Sequence, residues 1–103
     1  MNREEVKDLI NLISEEELAV INSPNFKRIT EETLVLSAMG IDSLEYMMLY
    51  MHLGDLFGID KEAFKNLEVL GDVQLRTAVD FLLQWDTRRL SYGEAFDEFF
   101  EDR

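Results

Sequence analysis

Apolar residues recur along this chain at three- and four-residue intervals, and strand signals are weak, so helices are the elements it can build. Val6, Leu9, Ile10 and Ile13 draw one stripe on a first helix. Ser14 followed by Glu17 fits a capping box that restarts a helical turn. Pro24 ends that region, because it lacks an amide donor and disfavours helix at Ser23. Residues 24–42 read as a long connection, pinned to the core by Phe26, Ile29, Leu34, Leu36 and Met39. Gly40 supplies a turn, and Asp42 or Ser43 caps a second helix over Ser43–Phe57, which Gly58 stops. A brief third helix is expected over Asp60–Leu67, with Ala63, Phe64 and Leu67 on one face. Gly71-Asp72 opens a further helix, with Asp72 or Gln74 near its start. Leu75, Ala78, Val79 and Leu82 lie on one face of it, and Phe81 and Trp85 extend that face. From Arg88 to Arg103, Tyr92, Phe96, Phe99 and Phe100 oppose Glu94, Asp97, Glu98 and Glu101, which fits a small amphipathic helix that Gly93 weakens. The expected fold class is all-α: an antiparallel four-helix bundle with a long first loop, a short third helix and a C-terminal extension.

Charge narrows the function. The 103 residues include 22 acidic and 10 basic side chains, a net charge of -12. That excess repels phosphates, so no nucleic-acid partner and no anionic membrane surface is expected. Hydrophobic residues at 47% are too many for a disordered chain. The absence of cysteine excludes a disulfide, a Cys-based zinc site and a catalytic thiol of the chain's own. The polar start Met1-Asn2-Arg3-Glu4-Glu5 does not read as a secretory signal, and no apolar run is long enough to span a bilayer. A soluble, cytoplasmic monomer is the expectation.

The second helix is apolar around more of its circumference than a small bundle needs. At about 100° per residue, Tyr46, Leu49, Tyr50, Leu53, Leu56 and Phe57 form a core face, with Glu45, His52 and Asp55 opposite. Met48 falls within that polar face, and Leu44, Met47 and Met51 form a shoulder beside it. Either the C-terminal tail or a second copy covers the shoulder, or it is an exposed docking surface. Methionine suits a surface that must accept several partners.

No catalytic apparatus is legible. Gly40-Ile41-Asp42-Ser43-Leu44 lacks the second glycine of a nucleophile elbow. The single histidine, His52, follows Ser43 by nine residues, about half a turn out of phase and roughly 13 Å along a helix axis. It reads as a surface residue. Asp55, Asp60 and Glu62 do not match calcium-loop spacing, so no metal site is expected. Ser43 itself fits two roles: a plain N-cap, or a hydroxyl exposed at a helix start where a phosphodiester meets the positive dipole end. Local chemistry does not separate them.

The order Gly40, Ile41, Asp42, Ser43, Leu44 before a 15-residue helix, in a small acidic helical chain, resembles the acyl carrier proteins. The likeness spans roughly residues 4–84, with Ile29-Thr30, Val35 and Leu36 in the long loop, Phe57 closing the second helix, and Thr77-Ala78-Val79-Asp80-Phe81-Leu82 in the last. It implies an acyl-carrier-like domain over 1–85 and a partly helical extension over 86–103. It implies that Ser43 carries covalent 4'-phosphopantetheine, added from coenzyme A by a phosphopantetheinyl transferase, with Asp42 assisting that modification. The arm's thiol would hold acyl groups as thioesters, and the carrier would be no enzyme. Leu44, Glu45, Met47, Met48, Met51 and Asp55 would meet acyl-loading, acyl-transfer or condensing enzymes, and the apolar interior would shelter the chain at about 0.8 kcal/mol per CH₂. Met48, Gly54 and Leu56 stand where the family often has carboxylates, which implies dedicated partners in a specialised lipid or secondary-metabolite pathway rather than general fatty acid biosynthesis. Extra residues before Ile29 and the tail after residue 85 are further departures. An aminoacyl or peptidyl carrier, or an unmodified helical interaction module, are the alternatives.

Overall fold

The computed structural model describes residues 1–20, 25–70 and 72–101. Helix α1, Arg3–Val20, starts where Asn2 and Glu5 satisfy each other: the Asn2 side chain accepts from Glu5 N at 2.8 Å, and Glu5 Oε1 accepts from Asn2 N at 2.9 Å. Val6, Leu9, Ile10 and Ile13 are wholly buried, each worth about 1.5–3 kcal/mol against exposure. The helix runs unbroken through Ser14 and Glu17, and both side chains are buried. The capping box expected there is therefore absent, because these residues face the bundle. The break expected at Pro24 and the opening at Gly71 lie outside the described residues, as does the side chain of Leu67.

The long connection is held by backbone bonds that apolar patterning does not reveal. On α1, Asn11 is buried and brackets Ile29, accepting from its amide and donating to its carbonyl, both at 2.8 Å. Further on, Leu36 N donates to Val73 O (2.9 Å), Leu75 N to Leu34 O (2.8 Å) and Arg76 N to Glu32 O (2.9 Å). Those bonds surround one antiparallel bridge, Val35 to Gln74. Ile29, Leu36 and Met39 are buried and Phe26 is half-buried. Leu34, expected as an anchor, is exposed instead: its carbonyl, not its side chain, holds the loop.

A short 3-10 turn, Leu36–Met39, leads to Gly40, whose φ of 89° requires glycine. A Cβ there would also lie 2.5 Å from Asn25 O. Helix α2, Ser43–Phe57, follows and ends at Gly58 in the left-handed conformation. Helix α3 is Lys61–Leu70 and α4 is Leu75–Trp85. Asp72 lies before α4 rather than at its cap, which is Gln74. Helix α5, Tyr92–Glu101, forms despite Gly93 because Ser91 and Glu94 make a capping box (3.0 and 3.2 Å).

Helix α1 packs on α2, α4 and α5, and α2 packs also on α3, α4 and α5. The architecture is an all-α helical bundle. Ala95 and Phe99 place α5 in the same core as the other helices. Its approach is fixed by Thr87 Oγ1, which donates to Gly58 O (2.7 Å), and by Arg88, which reaches Asp55 O (2.8 Å) and pairs with Glu98. No helix among the described residues is long and apolar enough to cross a membrane.

Candidate functional site

Each residue of the Gly40–Leu44 segment has its own place. Gly40 turns the chain, and Ile41 is buried. Asp42 is the N-cap of α2: its Oδ1 accepts from Leu44 N at 3.0 Å and Glu45 N at 3.2 Å. Ser43 is the first helical residue, it is exposed, and its hydroxyl makes no hydrogen bond among the described residues. Leu44 beside it is 64% exposed. The cap is Asp42, so Ser43 is not the plain N-cap. The same cap occupies two of the helix-start amides that an anion here would use.

The expected partner face divides. Met47 and Met51 are 61% and 52% exposed, and with Leu44 they form an apolar shoulder that the tail leaves bare. Helix α5 packs elsewhere on α2, with Phe99 edge-on to His52 at 5.2 Å between ring centres. Met48 is half-buried rather than outward. Asp55 is exposed. Glu45 is the correction: it is 7% exposed, and its Oε2 turns back to accept from Asp42 N at 3.0 Å, completing the capping box.

His52, expected at the surface, lies 2.7 Å from Oε1 of the buried Glu17, which ties α2 to α1. A second polar cluster joins the loop, α2 and the segment before α4. Asp72 accepts from Ser37 N (2.8 Å), from the Ser37 hydroxyl, and from the Tyr46 hydroxyl (2.6 Å). Desolvation, then the Asp72 carboxylate, push the Tyr46 phenol well above its ordinary range. For Asp72, desolvation raises the pKa, but the hydrogen bonds from Ser37 and Tyr46 outweigh it and hold the carboxyl below its ordinary value. Among the described residues no group of three or more His, Asp or Glu is placed to hold a metal ion.

An open groove of about 380 Å³ separates the α2 shoulder from α3. Its α2 wall is Leu44, Met47, Met48 and Met51; its α3 wall is Lys61, Phe64 and Lys65. Tyr50 completes the lining and stacks on Phe64, with ring centres 5.6 Å apart. Gly54 lets that contact form, since a Cβ there would press on Phe64 at 3.2 Å. Phe64 packs on Phe81, which stacks on Trp85. An aromatic row thus runs from Tyr50 through Phe64 and Phe81 to Trp85, which is itself 49% exposed. The groove's lysines escaped the sequence reading, although Lys61, Phe64 and Lys65 at i, i+3 and i+4 signal one shared face.

The site can present a hydroxyl, and a chain held near it can rest on a methionine-rich surface. No family model matches the chain, and no curated protein or solved structure matches it significantly.

Proposed function

We propose that this chain is an acyl carrier protein, with Ser43 as the attachment point for 4'-phosphopantetheine. One observation carries the reading: Ser43 stands exposed at the start of α2 with its hydroxyl unengaged, while Asp42 does the capping that would otherwise explain a serine there. A primary hydroxyl in that position is open to a modifying enzyme. The group fits the residues present, because nothing among the described side chains competes for the Ser43 oxygen. When bound it supplies the thiol that the chain lacks, on which acyl cargo is held as a thioester. The chain itself contributes the anchor, a rigid capped helix behind it, and the exposed Leu44, Met47 and Met51 as the surface offered to loading, transfer or condensing enzymes. Asp42 orients the helix start, and its carboxylate stands next to the reacting serine. The proposed setting is a specialised lipid or secondary-metabolite pathway in the cytoplasm, served by dedicated enzymes with apolar docking surfaces.

Incubation with coenzyme A and a broad-specificity phosphopantetheinyl transferase tests this. The intact mass should rise by one phosphopantetheine, and Ser43→Ala should abolish the gain. An unchanged mass would favour an unmodified interaction module that uses the same shoulder.

A further inference from the structure

Helix α5 lies beyond the residues that carry the likeness to acyl carrier proteins, and its outer surface has an order that packing in the bundle does not require. Tyr92, Phe96 and Phe100 follow one another at intervals of four, and their rings form a ladder with centres 6.2 and 4.7 Å apart. Phe100 also meets the buried Phe99 edge-on at 5.2 Å, which fixes the ladder to the core. Phe96 and Phe100 nevertheless remain exposed. One position further along, Asp97 and Glu101 repeat the same interval, so a row of carboxylates runs beside the row of rings. Both are exposed, and neither has an ion pair among the described residues. The other two acids of α5 are engaged: Glu98 pairs with Arg88, and Glu94 accepts from Ser91 N at the cap. Acids without an ion pair are common in this chain. Asp97 and Glu101 differ from them by standing in register with exposed aromatic rings.

Gly93 heads the acidic row, one turn before Asp97. It lacks the positive φ that calls for glycine, and a Cβ there would meet nothing within 4 Å. The fold therefore does not require glycine at this position, and helix propensity disfavours it. A bare backbone there lets another chain approach closely, which a side chain would prevent. We infer that this face of α5 is a docking site for a basic amphipathic helix of another protein. The apolar residues of that helix lie on Phe96 and Phe100, its Lys or Arg side chains meet Asp97 and Glu101, and its backbone passes over Gly93. Rows at four-residue spacing match the ridges of a second helix. Charge selects the occupant. A second copy of this chain would set like rows of carboxylates against each other, and an anionic membrane surface would be repelled in the same way. The carboxyl end of α5, where Phe100 and Glu101 lie, adds the negative end of the helix dipole.

The inference stands apart from the modification of Ser43, and its test uses the unmodified 103-residue chain. The probe is a labelled helical peptide of about 15 residues, with leucine on one face and lysine on the other. The same peptide with glutamate in place of lysine is the control. Binding is read by fluorescence anisotropy and mapped by the amide resonances of the isotope-labelled protein. The lysine peptide should bind and shift resonances within residues 92–101 rather than 44–51, and the glutamate peptide should not bind. Asp97→Asn with Glu101→Gln should weaken binding about tenfold. The same change of charge outside α5, Glu31→Gln with Glu62→Gln, should alter it by less than about twofold in physiological salt. Phe96→Ser should also weaken binding about tenfold. Gly93→Gln keeps or raises thermal stability, yet it too should weaken the peptide about tenfold, and a merely structural role for the glycine would not separate those two readouts. No binding of the lysine peptide, equal binding of the glutamate peptide, or shifts confined to residues 44–51 would each overturn the assignment. So would a control pair that costs as much as the α5 pair, or full affinity in Gly93→Gln.

Discussion

Asp42 and Ser43 divide the start of α2 between them: Asp42 Oδ1 takes the amides of Leu44 and Glu45 at 3.0 and 3.2 Å, and Ser43 is left exposed with its hydroxyl unengaged. The division has a thermodynamic signature. Asp42→Ala should cost about 1 kcal/mol, the ordinary loss for a helix cap, and more if Glu45 is released with it. Ser43→Ala should change stability by less than about 0.5 kcal/mol, because it removes no hydrogen bond. Urea unfolding of the two variants compares them. A Ser43→Ala loss as large as that of Asp42→Ala would mean that the serine is the cap.

Gly40 and Gly93 should respond in opposite directions to the same substitution. Gly40→Ala places a Cβ 2.5 Å from Asn25 O in a left-handed conformation, and a loss of at least about 1–2 kcal/mol follows. A Cβ at Gly93 meets nothing within 4 Å, and the residue lies within α5. Gly93→Ala should therefore gain roughly 0.5–1 kcal/mol from helix propensity. Thermal unfolding of both variants reads the signs.

The methionines of α2 should separate by burial. Met47→Glu removes a side chain that is already 61% exposed, so the expected change is within about 0.5 kcal/mol. Met48→Glu moves a charge into a half-buried place and should destabilise more. Denaturant midpoints test the order. A larger loss at Met47 than at Met48 would contradict the exposed shoulder.

Acid should loosen the joint between the loop and α4. Asp72 has its pKa lowered in the fold by the hydrogen bonds from Ser37 and Tyr46, against desolvation. Its contribution is complete above the ordinary carboxylate value of 3.8 and is lost as pH falls through the lower folded value. The Arg3 and Lys7 partners lower Glu32 in the same way, from 4.5. Stability should thus fall as pH drops below about 4, and Asp72→Asn should flatten part of that fall. Urea midpoints against pH measure it. An unchanged profile in Asp72→Asn would show that the cluster contributes nothing to acid sensitivity.

The helices and the Gly40–Leu44 turn were legible in the sequence because their signals are local. Spacing marks a buried stripe, and Gly40 and Gly58 mark ends. What escaped were polar side chains whose burial depends on distant partners. Asn11 reads as an ordinary polar residue until Ile29 lies against it, 18 positions away. Glu17 and His52 become an interhelical pair only once α1 packs on α2. Asp72, expected near the start of α4, holds Ser37 and Tyr46. Glu45 was a miss of another kind. Asp42-Ser43-Leu44-Glu45 carries the spacing of a capping box, so its inward turn was available from four residues, whereas Ser14 and Glu17, with the same spacing, sit mid-helix.

Ser43 as an anchor makes one demand on the protein taken from its native cells. Fragment-ion mass spectrometry of the peptide spanning residues 29–61 should locate a phosphopantetheine on Ser43, with the Ser37 oxygen bare. A Ser43 that stays unmodified there, or a modification on Ser37, would contradict the account.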